Sequence, residues 1–201
     1  KIVRAVAPKK TDNIIEIGPG LGALTQQLLP QLSCLSVIEL DKDLIPLLEE
    51  KCRHLGKLIV YQGDALKFNF KSLSKANGLW RLVGNLPYNI STPLLFHCLD
   101  QASAIQDMHF MLQKEVVDRL NAQPGQASYG RLSVMIQYYC GVEKLFNVKP
   151  GAFQPPPKVD SAVVRLIPYK ELPYKANDPL LFAEIVRIAF SQRRKMLRNN
   201  L

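Results

Sequence analysis

A buried strand that runs straight into three closely spaced glycines is the feature that most limits what this chain can fold into. Asn13 to Ile17 is a short, mostly apolar run, and Gly18-Pro19-Gly20-Leu21-Gly22 follows it without a spacer. Leu21, Leu24, Leu28 and Leu29 then recur at helical spacing. Strand, glycine turn and helix in this order open a βαβ unit, with the turn at the carboxyl edge of a parallel sheet. Glycines leave the backbone bare there, so a ligand can approach it closely.

The alternation continues down the chain. Leu35 to Ile38, Leu58 to Tyr61, Trp80 to Val83 and Met108 to Leu112 read as further strands. Helical periods run through Leu44 to Leu48, through Pro93 to Leu99 and onward from Lys114. This predicts an α/β fold of parallel strands with helices on both faces. Near residue 140 the pattern changes: Leu145 to Val148 and Ala162 to Leu166 are strand-like, with only a proline-rich loop, Phe153 to Pro157, between them. No helix fits that gap, so the two strands are predicted to pair antiparallel at one edge of the sheet. Pro168 to Pro179 reads as a linker, after which Leu180, Leu181, Ile185 and Ile188 restart a helical period.

Charge adds a partner class. Lys and Arg total 26 against 17 for Asp and Glu, a formal net charge of +9, which favours a polyanion, nucleic acid ahead of a membrane surface. No apolar run approaches the roughly 18 residues of a membrane span. No signal peptide is visible, since Lys1 opens an amphipathic stretch. Cys34, Cys52, Cys98 and Cys140 are scattered through apolar or helical patterns and read as buried thiols. His54, His97 and His109 cluster with nothing in sequence, so no metal site is predicted.

Glu39 ends the second strand, 21 positions after Gly18, the spacing at which a carboxylate can accept from both hydroxyls of a ribose. A dinucleotide fingerprint reads G-x-G-x-x-G, whereas this loop reads G-x-G-x-G, and Pro19 removes an amide that a pyrophosphate would use. S-adenosylmethionine has no phosphate, and its sulfonium and ammonium suit a carboxylate such as Glu16. The residues therefore favour a methyl donor over a nicotinamide, with a purely structural glycine turn as the alternative. Gln62-Gly63-Asp64-Ala65 offers a carboxylate and an amide for an adenine, or else a turn capped by Asp64.

Asn85-Leu86-Pro87-Tyr88 follows the fourth strand. Adenine N6 is a poor nucleophile because its lone pair is delocalised into the ring. The Asn85 amide oxygen and the Leu86 carbonyl, accepting both N6 hydrogens, would favour a tetrahedral and more nucleophilic nitrogen. Pro87 would fix the turn, and Tyr88 would stack on the base. An ordinary turn with a half-buried Tyr is the plain alternative. Downstream, Phe153 is placed to form the other face of a base sandwich and Lys158 to lie near phosphates, although an aromatic beside prolines also serves simply as packing.

In this order the segments EIGPGLGALT (16–25), VIELD around Glu39, GNLPYNIS (84–91), MLQKEVVDRL (111–120) and FQPPPKVDSAVVRL (153–166) resemble the KsgA (RsmA) family of ribosomal RNA adenine dimethyltransferases. The resemblance runs along essentially the whole chain. It implies a class I, Rossmann-like S-adenosylmethionine-dependent methyltransferase with a seven-stranded, mostly parallel sheet and an antiparallel edge strand. It implies a SAM-binding catalytic domain over 1–168, then over 169–201 a linker and the beginning of a helical RNA-binding domain. Gly18, Gly20, Glu39, Leu40, Asp64, Ala65 and Asn85 would line the cofactor pocket with Glu16. Asn85, Leu86, Pro87 and Tyr88 would hold the adenine, and Phe153 would close over it.

The implied reaction is dimethylation of N6 on two adjacent adenosines in the terminal hairpin loop of small-subunit RNA, in the 30S particle or its precursor. The enzyme would be cytoplasmic, free of membranes and tied to small-subunit biogenesis; without an extended apolar seam, it is expected to be a monomer. Arg193, Arg194, Lys195 and Arg198 would suit phosphates, with a solvated helix face as the alternative. Family members carry an upstream segment over the cofactor's methionine end and a longer helical end, so weak cofactor binding and poor RNA methylation are expected here. Two rivals stay open: the Erm-type enzymes, which modify large-subunit RNA, and a non-catalytic RNA-binding or assembly factor.

Overall fold

The computed structural model describes residues 1–153, 156–192 and 198, with residues 74–77 described by their backbone alone. Among these residues seven strands form one sheet: β1 (Ile14–Ile17), β2 (Leu35–Glu39), β3 (Leu58–Gln62), β4 (Trp80–Asn85), β5 (Ile105–Gln113), β6 (Cys140–Val148) and β7 (Ser161–Pro168). Their order is β3-β2-β1-β4-β5-β7-β6, parallel from β3 through β5. The late antiparallel pair expected from the sequence is present. β7 runs against both β5 and β6, and β6 closes the edge.

Among the described residues eight α-helices accompany the sheet: α1 (Ile2–Val6), α2 (Thr25–Leu28), α3 (Ile45–Cys52), α4 (Phe70–Asn77), α5 (Ser91–Leu99), α6 (Lys114–Leu120), α7 (Arg131–Tyr139) and α8 (Pro179–Ala189). Of these, α1 was read only as an amphipathic stretch, and α4 and α7 are absent from the sequence reading. Both are short and owe their starts to local polar contacts. Asn69 caps α4 by accepting from the Ser72 amide at 3.1 Å, and the Ser133 hydroxyl accepts from the Gly130 amide at 3.0 Å to start α7.

Every residue of β1 is buried, as a strand covered on both faces requires. Side chains alternate across it. Ile15 and Ile17 pack with Leu82 and Leu94 on one face, while Ile14 packs with Leu28, Leu48 and Val83 on the other. Glu16 shares the face of Ile14, which carries its carboxylate under α2. Of the four cysteines, Cys52, Cys98 and Cys140 are buried and Cys34 is half-buried; all are free thiols. Among the described residues no helix is long and apolar enough to cross a membrane, and no group of three or more His, Cys, Asp or Glu could hold a metal ion.

Strand order reverses between β1 and β4, which opens a crevice outside their carboxyl ends. The opposite edge is pinned by a buried cation. The Arg81 guanidinium donates to both oxygens of Asp107 (2.9 and 3.0 Å), to Asp12 (2.7 Å) and to the Val6 carbonyl (2.8 Å). One side chain thereby ties α1, the approach to β1, β4 and β5 together. His109, buried beside Asp107, has its pKa pushed down by burial and stays neutral. Replacing Asp107 by Asn leaves a buried guanidinium short of its main partner. Urea unfolding of D107N is expected to show a loss of about 3 kcal/mol, the usual cost of breaking such a pair from one side.

Candidate active site at the carboxyl edge of the sheet

The ends of β1, β2 and β3 are laced together by hydrogen bonds. Past β1 the Gly18 amide donates to the Ile38 carbonyl at 3.0 Å, and past β3 the Gly63 amide donates to the Glu39 carbonyl at 2.9 Å. The Glu39 carboxylate is held from two sides: Oε2 accepts from the Gly20 amide at 3.1 Å and Oε1 from the Asp41 amide at 2.9 Å. Each oxygen keeps a further lone pair for a ligand hydroxyl. Gly18 and Gly20 sit at φ +65° and +55°, and a Cβ at either would meet nothing within 4 Å. The outer side of this loop is therefore bare backbone over open space, a cradle with a carboxylate at its end.

Glu16 lies beneath that loop, 2% exposed, with Oε2 accepting from the Thr25 hydroxyl at 2.7 Å. Burial raises its pKa to about 7; the nearby charge of Glu39 adds to the rise and the Thr25 hydroxyl opposes it. Leu40 follows Glu39 and is 69% exposed at the rim. Asp64 is half-buried, and its Oδ1 accepts from the Leu66 amide at 2.9 Å, so the capping role expected as an alternative is present. Ala65 is buried beside it.

Across the crevice, Asn85 is the last residue of β4 and is exposed. The pairing of β4 with β5 continues one step beyond it, the Leu86 amide donating to the Met111 carbonyl at 3.1 Å while the Leu86 side chain is buried. That anchor fixes the turn. The Pro87 carbonyl accepts from the Ile90 amide at 3.2 Å and the Tyr88 carbonyl from the Ser91 hydroxyl at 3.1 Å, which leaves the Leu86 carbonyl outside these bonds. The Tyr88 residue is 43% exposed. The structure thus brings the Asn85 to Tyr88 turn next to the cofactor-type cradle, on neighbouring parallel strands.

Two residues that sequence reasoning passed over hold this arrangement. Thr25 supplies the hydrogen bond to Glu16. A Cβ on Gly84 would lie 2.7 Å from the Ile17 carbonyl oxygen, so the β1 and β4 ends meet at a distance only glycine permits. A glycine inside a strand signals such an approach, and Gly84 was legible in that sense. The outer residues expected from the sequence are less joined up. Phe153 is half-buried after a short turn over Pro150–Ala152, Lys158 and Arg198 are exposed, and Arg193, Arg194 and Lys195 lie outside the described residues.

A buried acid whose folded pKa is raised holds its proton more tightly than the unfolded chain does. The stability it contributes is present below pH 4.5 and lost as pH climbs through about 7. E16Q keeps an acceptor for Thr25 without that dependence. Relative to the parent, urea unfolding of E16Q is expected to gain on the order of 3 kcal/mol between pH 4 and pH 8.

Similarity to known proteins agrees with this geometry. The ribosomal RNA adenine dimethylase family profile matches residues 1–201. The chain is 59% identical over 201 residues to the ribosomal RNA small subunit methyltransferase A of Pseudomonas fluorescens, covering all of this chain and 74% of that protein. Among solved structures, a dimethyladenosine transferase from Plasmodium falciparum superposes with a TM-score of 0.84 at 34% identity, over 99% of this chain and 70% of that one. The 23S rRNA methyltransferase ErmE gives 0.80 at 25% identity, over 99% and 78%. With its full length matched and its carboxyl-edge crevice built as the motifs require, the chain belongs to the ribosomal RNA adenine dimethylase family.

Proposed function

We propose that the protein transfers methyl groups from S-adenosylmethionine to N6 of two adjacent adenosines in the terminal hairpin loop of small-subunit ribosomal RNA. The observation that carries this reading is the pairing of a carboxylate-ended glycine cradle with the Asn85 to Tyr88 turn across one strand boundary. S-adenosylmethionine, when bound, supplies an electrophilic methyl on a positive sulfur. Gly18 and Gly20 give its nucleoside bare backbone to lie on, Glu39 accepts from the ribose, and Asp64 and Ala65 face the adenine with Leu40 at the rim. Glu16 places a carboxylate below a cationic ligand.

On the acceptor side, Asn85 Oδ1 and the Leu86 carbonyl accept the two N6 hydrogens of the target adenine. Pro87 holds the turn, Tyr88 stacks on the ring and Phe153 covers its other face. As the new N–C bond forms the C–S bond breaks, and the proton shed from N6 passes to solvent. No side chain needs to act as a base before attack, because the leaving sulfur already carries the driving charge. Lys158 and Arg198, with Arg193, Arg194 and Lys195, would meet RNA phosphates.

In this reading residues 1–168 are the catalytic unit and 169–201 lead into a helical RNA-binding region. Support comes from α8, which meets α7 through the Tyr138 and Phe182 rings, 4.5 Å apart and tilted by 34°, while Leu180 and Leu181 stay exposed. The protein would work as a monomer in the cytoplasm, alongside small-subunit assembly. The higher identity to small-subunit enzymes than to ErmE favours this substrate over large-subunit RNA.

Labelled methyl transfer to unmodified 30S and 50S particles tests the assignment. The parent is expected to yield N6,N6-dimethyladenosine in 30S RNA alone, and Y88A to transfer at least roughly 100-fold more slowly, since stacking and orientation are both lost. Transfer confined to 50S RNA would move the protein to the resistance-type enzymes. Silence on both would leave a non-catalytic binding factor.

A further inference from the structure

Beyond the target turn the carboxyl edge continues into a groove of about 960 Å³ that none of the residues discussed so far requires. Its floor is Gln113, the last residue of β5. Met111, two residues earlier on that strand, pairs with Asn85, so the floor lies one strand over and about 7 Å along from the proposed adenine site. The groove is lined further by α6, by Lys144 of β6, which is paired with Asp118 of that helix, and by Asp160, just after the loop that carries Phe153. Along the sheet the sequence of sites is thus cofactor on β1 to β3, target on β4, groove on β5 to β6.

The lining is unusual for so basic a chain. Three carboxylates (Glu115, Asp118 and Asp160) face two cations, Lys114 and Lys144. Both cations are already taken: Asp118 Oδ2 lies 2.5 Å from Lys114 Nζ and Oδ1 lies 2.6 Å from Lys144 Nζ. A phosphate entering here would find both counter-charges neutralised and the Glu115 carboxylate repelling it, while Asp160 is itself paired with Lys149 at 3.6 Å. The carboxamides of Gln113 and Asn121 also line the space and make no hydrogen bond among the described residues. Amides carry donor and acceptor side by side, the pattern that matches the edge of a nucleobase. Carboxylates add acceptors for an exocyclic amino group.

We propose that this groove is a second base pocket, which takes an unpaired nucleobase bearing an exocyclic amino group from the nucleotide next to the methylated adenosine. The identity of that nucleotide rests on the proposed function; the base-binding chemistry rests on the groove alone. The pocket would hold the loop splayed on both sides of the reacting N6, and it would discriminate among loops by a neighbouring base rather than by backbone charge.

Two measurements separate these layers. With the cofactor site saturated by S-adenosylhomocysteine, adenosine and then inorganic phosphate are titrated while the side-chain amide resonances of Gln113 and Asn121 are followed by NMR. Adenosine is expected to shift both amides and phosphate neither. Shifts with phosphate but not adenosine would overturn the pocket. In parallel, methyl transfer is measured on the small-subunit terminal hairpin with the base beside the target intact or removed as an abasic site. The parent enzyme is expected to show a roughly tenfold higher KM on the abasic loop, and the Gln113→Ala, Asn121→Ala double variant no such penalty. A variant that keeps the full penalty would overturn the proposal. A hairpin left unmethylated by the parent, with the amides still moving on adenosine, would sink the proposed function and leave the base pocket standing.

Discussion

The approach of Gly84 to the Ile17 carbonyl is the contact on which the rest of the site depends. Any side chain at Gly84 would put its Cβ 2.7 Å from that oxygen and 3.0 Å from the Leu86 side chain. The strands that end there lead directly into the two halves of the chemistry, β1 into the glycine cradle and β4 into the Asn85 turn. Methyl transfer asks for reacting atoms about 3–3.5 Å apart and in line. Two loops carried by adjacent strands, about 4.8 Å apart, can meet that demand only if nothing bulky separates them. At the far end of the same strands, the Arg81 network prevents β4 from drifting relative to β5 and to the approach to β1.

Charge is distributed along this edge by task. Glu16 and Glu39, with Asp64 on the next loop, gather where a cationic cofactor would lie, and burial keeps the first of them close to its protonation point. Ionising Glu16 without a cation nearby is costly, so a positive ligand would be drawn in partly by relieving that cost. Farther along, the groove past β5 has its lysines paired internally, while basic residues such as Lys158 and Arg198 stand exposed on the surface.

The sheet was legible because each strand announced itself by a short apolar run, and the glycine loop by its position after one of them. The Glu39 spacing and the Asn85 to Tyr88 segment could be read as chemistry for the same reason: each follows a recognisable strand end. What escaped depends on partners distant in sequence. Nothing near Thr25 reveals that it faces Glu16, since the meeting requires α2 to fold back over β1. The helices α4 and α7 were missed although they are as long as α3 and α5; their starts rest on the contacts of Asn69 with Ser72 and of Gly130 with Ser133, which no apolar run announces. The groove past β5 joins residues from α6, β6 and the segment before β7, which only the antiparallel return of β7 brings together.

The measurement that bears most directly on this account is single-turnover methyl transfer by G84A, with cofactor and RNA affinities determined on the same preparation. If the close strand contact aligns donor and acceptor, both ligands should bind within a few-fold of parent affinity while the transfer rate falls roughly 100-fold or more. A transfer rate that stays near the parent's with both ligands bound would show that the two loops find each other without that contact, and would contradict the account.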